Sequence, residues 1–267
     1  MYPHPQSIID FLAGVGAKRE NLGLVMEKFI DWFEDKRGNY TPNKRDYFAD
    51  LGKVLKQAPS ADMVEMVEAL SQRRQAVYAR SPFPVRSFTA ETLWYYTSGK
   101  GASDLVGNLM FFHNNFALPI VRGSSIRGTT HVYARDYLLP EDKITEEEIK
   151  YLFGNSPEEE EHSQGALTFF DAFPLTADCL KVAVITNQND GYYSGNEQLM
   201  AKNNVIPLFH LSTPAGVPFL FAIGAADAQA LERGEMILRQ SLRKSGTGAK
   251  IHVGYGYFRS LEGDTST

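Results

Sequence analysis

The chain has one cysteine, Cys179, among 267 residues. That excludes an intramolecular disulfide and a thiolate zinc cluster, and a reducing cytoplasm is the compartment that suits it. The six histidines (His4, His113, His131, His162, His210 and His252) show no metal-ligand spacing, so neither a metal nor another cofactor is expected. There is no run of 18 apolar residues, and Met1-Tyr-Pro-His-Pro5 lacks a signal-peptide pattern. A soluble, unexported protein without a membrane partner is the expectation. A Walker loop is missing, since no Gly-Lys-Ser/Thr follows the required spacing. A dinucleotide fingerprint fails too, because Ile251 stands where the third glycine would be.

What is present is a segregation of charge. The overall net charge of −5 argues at first against a nucleic-acid partner. Residues 141–161, however, carry nine acids against Lys143 and Lys150, a net −7, which leaves +2 for the rest of the chain. Residues 239–259 hold Arg239, Arg243, Lys244, Lys250 and Arg259 with no acid, and 118–135 hold Arg122, Arg127 and Arg135 with none. Cationic segments therefore surround a glycine-rich stretch, Gly246 to Gly256, spaced GxGxxxxxGxG. Gly246 and Gly248 permit positive φ and exposed backbone N–H groups. From Ile251 the residues alternate as a strand does, with Ile251, Val253, Tyr255 and Tyr257 opposite His252, Gly254, Gly256 and Phe258. A helix C-cap at Gly246 is the plainer reading of the same glycines.

Residues 1–84 read as a helical segment. Leu22, Val25, Phe29, Trp32 and Phe33 keep helical spacing. A second helix follows Pro42-Asn43 with Phe48, Leu51 and Leu55 inward, and Ser60 caps a third with Met63, Val67, Leu70 and Val77 on one face. Ser81-Pro-Phe-Pro84 marks a boundary. Residues 85–259 then read as strands and helices with insertions at 98–117, 140–163 and 186–204, and 260–267 as a disordered tail. Phe88 to Tyr96 suits a strand. Leu118 to Gly128 passes from a strand end into a helix capped by Ser124 or Ser125, with Ile126, Thr130, Tyr133 and Tyr137 inward. Arg127, His131 and Arg135, spaced by four, form an outer basic stripe. The helix start with its hydroxyls and arginines is a competent phosphate site, and a capped helix with a solvated basic face is the alternative. The acidic segment reads as a surface insertion with a short helix around 145–153, capped by Thr145 with Glu148 at the third helical position. Two strands over 165–174 and 180–185 follow, then a strand pair at 206–212 and 218–223 around Thr213-Pro-Ala-Gly216. The last helix is capped by Asp227, with Leu231, Leu238 and Leu242 inward. The order strand–helix–strand–strand–helix–strand defines an α+β, ferredoxin-like (RRM-like) core.

These pieces resemble the RAMP proteins of CRISPR systems, and within them the family of the sixth subunit of type III-B Cmr effector complexes. The resemblance rests on Asn21-Leu-Gly-Leu24, His113, Leu118 through Gly128, Gly165 with Phe170-Asp-Ala-Phe-Pro174, Tyr192-Tyr193, and Gly248-Ala-Lys250 with Gly254-Tyr-Gly256. Arg122 departs from the proline usual in that family. The resemblance implies a non-catalytic backbone subunit that holds the 3′ part of a guide RNA, supports target-RNA binding in antiviral defence, and stacks beside other RAMP backbone and small subunits. Carried onto this sequence, the RNA-binding set is Arg122, Ser124, Ser125, Arg127, His131 and Arg135 at the helix, and Gly246, Gly248, Lys250, His252 and Tyr255 at the glycine loop. Two other classes stay open. A metal-independent guide-processing RAMP endoribonuclease would use His113 or His131 as general base. A structural subunit would contact protein alone. Asp171 suits a backbone hydrogen bond better than catalysis.

Overall fold

A computed structural model describes residues 32–34, 40–42, 44–99, 110–113, 115–155, 163–186 and 207–261. The expectations for Asn21–Phe29, most of 98–117, Glu158–His162, 187–204 and the tail from 262 lie outside these residues.

The centre of the fold is β8 (Pro218–Ala225), in which every residue from Phe219 to Ala225 is buried. That continuous apolar run reflects cover on both faces. On one face Phe219, Phe221 and Ile223 meet Phe88, Phe258 and the helix α5 (Ala228–Lys244). On the other, Leu220, Ala222 and Gly224 meet Tyr78, Phe83 and Phe170. β8 pairs antiparallel with β3 (Val85–Thr92) on one side and with β4 (Leu167–Phe169) and β5 (Phe173–Pro174) on the other. β9 (Phe258–Ser260) completes the sheet on the far edge of β3, giving the order β4-β8-β3-β9. Helices combine with an antiparallel sheet, so the α+β class holds.

Local signals place the helices. Ser60 Oγ accepts the Met63 N–H at 3.3 Å and starts α2 (Ala61–Ala79). Thr145 Oγ1 accepts the Glu148 N–H at 3.2 Å and starts α4 (Glu146–Phe153). Asp227 Oδ1 accepts the Ala230 N–H at 2.8 Å and starts α5. These three of the four expected caps are formed, each satisfying one orphan donor of its helix. α1 (Lys44–Val54) buries Phe48 and Leu51 as expected. α5 buries Leu231, Leu238 and Leu242 and approaches β4 so closely at Gly234 that a Cβ there would lie 2.9 Å from Leu167 Cδ1.

Several expectations are corrected. Trp32 and Phe33 lie in a strand, β1 (Trp32–Glu34), paired with β2 (Tyr40–Pro42). In α2 the inward position is Tyr78, whereas Val77 is 59% exposed. Eleven residues after Val67 complete three turns, and ten fall short. β3 ends at Thr92, and Tyr96 joins a neighbour through a single bridge to Thr213. β7 (Pro207–Ser212) pairs not with β8 but with β6 (Lys181–Thr186), in a separate two-stranded sheet braced on α1 by Phe48 and Phe209. Helix α3 (Gly123–Tyr133) buries Ile126, Thr130 and Tyr133, but continues as a π-turn, Ala134–Leu138. The wider turn carries Leu138 inward and leaves Tyr137 53% exposed. The acidic insertion is not wholly solvated, since α4 buries Ile149, Leu152 and Phe153. Finally, no strand begins at Ile251. Residues Ile251–Val253 form a 3₁₀ turn, and the strand is confined to β9.

Candidate nucleic-acid interface

The glycine stretch is a clasped loop. Gly246 (φ 68°) ends α5 as its left-handed cap, with the N–H groups of Ser245 and Gly246 both donating to Ser241 O at 2.9 and 3.0 Å. Thr247 N–H then donates to Gly256 O at 2.8 Å, which closes the loop on itself. The loop is tied down on the segment after β3 by Ala249 N–H to Thr97 O (2.9 Å) and Gly256 N–H to Tyr95 O (2.8 Å). These contacts require glycine. At Gly248 (φ 92°) a Cβ would sit 2.6 Å from Thr97 O, and at Gly256 (φ 80°) it would collide with the Thr247 carbonyl oxygen. The bare positions therefore face backbone. Gly254 alone is open.

The loop raises a tip. Lys250 takes a left-handed conformation, φ 63°, that a lysine rarely adopts. Val253 N–H and Tyr255 N–H both donate to its carbonyl, at 3.2 and 3.3 Å. Lys250 is half-buried, Gly248 and His252 are exposed, and Lys250 makes no ion pair among the described residues. A lysine with a defined backbone conformation thus stands two residues from Gly248, whose backbone is exposed to solvent.

The start of α3 lies against the same loop. Tyr96, fully buried, touches Gly248 with its ring and donates its hydroxyl to Ile120 O at 2.9 Å, two residues before the helix N-cap Arg122. Farther along α3, Thr129 Oγ1 and Thr247 Oγ1 are 3.3 Å apart. Helix and loop are thus packed against each other.

The members of the expected RNA-binding set are differently placed. Ser124 and Ser125 are exposed in the first turn, but neither caps α3. The cap comes from Asp171, whose Oδ1 accepts the Gly123 N–H at 2.7 Å, the backbone role expected for it. An internal carboxylate already occupies the positive end of the helix, so this end is less receptive to phosphate than its sequence suggests. Arg122 lies over the Phe111 ring at 3.6 Å, and Arg127 donates to Phe153 O at 2.6 Å, capping α4. Arg135 is held by Asp136 at 2.6 Å. His131 packs on Phe153 at 5.0 Å, and burial first, then Arg127 and Arg135, lower its pKa. The stripe is correspondingly less cationic at neutral pH than three basic residues imply. Two members are inaccessible. Tyr255 is buried between Tyr95 and His210, where burial raises its pKa, and Gly246 is buried as the helix cap. The aromatic side chain available near the loop is Trp94, 54% exposed and edge-on to Tyr95. The run Trp94-Tyr95-Tyr96 is the signal that points to it.

His113 stacks on Phe116 at 4.6 Å and lies 5.6 Å from Phe173, itself under the Arg74 guanidinium. Burial, then Arg74, lowers its pKa. Two histidines with depressed pKa values make stability pH-dependent. As pH falls below the ordinary value of about 6.5, the unfolded chain takes up protons that the folded chain resists. Stability is full above that value and declines below it. Melting temperature measured from pH 7.5 to 5.5 should fall, and fall less in the His113→Gln/His131→Gln variant. An unchanged slope would mean that other groups carry the decline.

Among the described residues, no helix is long and apolar enough to cross a membrane, and no group of three His, Cys, Asp or Glu side chains is arranged to hold a metal.

The RAMP superfamily model matches residues 87–259. The protein described as CRISPR system Cmr subunit Cmr6, from Pyrococcus furiosus, is 31% identical over 127 residues, 43% of this chain and 36% of that one. The chain thus spans little more than a third of the curated relative it matches. Among solved structures, a chain of the type III-B Cmr-beta complex bound to cognate target RNA superposes with a TM-score of 0.62 at 22% identity, over 81% of this chain and 70% of that one. The crystal structure of Cmr6 from Pyrococcus furiosus gives 0.41 at 21% identity, over 66% and 97%.

Proposed function

The chain belongs to the RAMP superfamily, and on that premise we propose that it is an RNA-binding backbone subunit of a type III-B CRISPR (Cmr) effector complex. It holds the 3′ part of the guide RNA, supports binding of the target RNA in antiviral defence, and acts beside other Cmr backbone and small subunits. The similarity to Cmr6 supports the choice of complex. The observation that carries RNA binding is the clasped loop, which presents Lys250 in a fixed left-handed conformation beside exposed Gly248. Such a site grips a phosphate without reading a base, as sequence-independent guide binding demands. Ser124, Ser125, Arg122 and Arg127 on the adjoining helix extend it.

The role is binding without catalysis. His113 and His131 are each packed on phenylalanine rings in separate clusters, a setting that favours support over proton transfer. Cleavage of repeat RNA by the isolated chain that disappears in His113→Ala or His131→Ala would overturn this part.

Phosphate contacts release counterions, so guide affinity should fall steeply with salt. Lys250→Ala should reduce the slope of log affinity against log salt by about 0.7, one contact on a single strand. Filter-binding over a salt series reads both quantities, and an unchanged slope removes Lys250 from the interface.

A further inference from the structure

The acidic side of the molecule has no part in the RNA reading. α4 and α5 lie side by side there without closing on each other, and a groove of about 720 Å³ runs between them. Helical spacing builds it. On α4, Glu148, Tyr151 and Leu152 share one stripe; on α5, Glu232, Arg233 and Met236 share another. The ends are clamped. Arg233 pairs with Glu148 at 2.6 Å and donates to Lys143 O, while the Tyr151 hydroxyl donates to Asp227. Between the clamps the floor is apolar, with buried Leu152 and exposed Met236.

The charge around this floor is predominantly negative. Glu148, Asp227 and Glu232 line the groove, and its one cation, Arg233, is already paired with Glu148. Asp227 is held ionised, its pKa lowered by the Ala230 N–H and then by Tyr151. Glu146 and Glu147 stand exposed on the first turn of α4, within a segment of net charge −7. Glu232 makes no ion pair among the described residues. A nucleic-acid backbone is repelled by such a rim, whereas an apolar floor beside Glu232 and the exposed acids of α4 is complementary to a cationic polypeptide.

We propose that the α4–α5 groove docks a lysine- and arginine-bearing segment of a partner protein, one apolar side chain seated on Leu152 and Met236 and its cations facing Glu232 and the α4 carboxylates. This surface is separate from the RNA-binding loop, and its failure and that of the loop are read apart.

The test uses a photocrosslinker in the groove. Met236→Cys is labelled with benzophenone maleimide, Cys179 being buried, in the assembly that copurifies with the tagged full chain. After irradiation the crosslinked peptides are sequenced. The expected product is a peptide of another protein chain rich in Lys and Arg. Adding Glu232→Lys should lower its yield about tenfold, corresponding to about 1.4 kcal/mol, while bound RNA per chain is unchanged. Crosslinks to RNA, to a second copy of this chain, or to peptides whose yield Glu232→Lys does not alter would each overturn the proposal. So would a chain that yields no protein crosslink. The same preparations carrying Lys250→Ala report RNA retention independently.

Discussion

Gly256→Ala should lower stability by about 3 kcal/mol and displace bound RNA. Two effects add at this position. The backbone is left-handed, φ 80°, which costs an alanine about 1–2 kcal/mol. The new methyl would also collide with the Thr247 carbonyl oxygen. Relief requires the loop to open and lose the bonds Thr247 to Gly256 and Gly256 to Tyr95, at about 0.5–1.5 kcal/mol each. For a chain of this length, 3 kcal/mol corresponds to a melting temperature lower by about 6–12 °C. Gly254→Ala is the control. Its φ is 91°, but nothing lies within 4 Å of the added methyl, so only the conformational cost remains. Equal shifts for the two variants in calorimetry would refute close packing as the reason for Gly256. If both variants retain RNA equally, the clasp is not what presents Lys250.

Glu235→Ala should be of similar size for a different reason. Glu235 is only 7% exposed, on the sheet-facing side of α5. One oxygen accepts from Arg239 Nε and Nη2 at 2.9 and 2.7 Å, and the other from Arg86 at 2.6 Å. Arg239 also lies over Phe88 at 4.0 Å and bonds Ser260 in β9. Removing the carboxylate takes from a largely covered guanidinium its ion-pair partner Glu235, a loss of about 3–5 kcal/mol when burial is complete. Arg86 is half exposed, which puts the expectation at the lower end, about 3 kcal/mol. Arg86→Ala should cost no more than about 1 kcal/mol. Urea unfolding of both variants and of the double variant isolates the coupling. If Arg86→Ala matched Glu235→Ala, the exposed arginine and not the covered one would be the principal partner.

Features set within a few residues were readable from the sequence. Ser60, Thr145 and Asp227 cap their helices because the donor each accepts lies three residues away. The inward stripes of α3 and α5 follow from the same local geometry. What the sequence concealed depends on distant partners or on backbone conformation. The alternation from Ile251 to Phe258 satisfies a strand pattern, yet Lys250, Gly254 and Gly256 are left-handed and turn the chain. A π-turn displaces Tyr137 from the stripe that α-helical counting assigns it. At the candidate site, the basic character of helix and loop was legible, and their contact through Thr129 and Thr247 was not. The claims of other residues on it were not: Asp171 reaches Gly123 across 48 positions, and Arg127 reaches Phe153 across 26.

The sheet order has a consequence for synthesis on the ribosome. β3 emerges early, but its two neighbours, β8 and β9, begin at Pro218 and Phe258. At about 5–20 residues per second, both edges of β3 wait on the order of ten seconds before either can pair. During that interval a strand carrying Phe88 and Ala90 on one face is open to any other nascent chain. Newly made protein is therefore most exposed to misassembly before β8, from Pro218 onward, has been translated, and holdase chaperones that shield this strand would raise the yield.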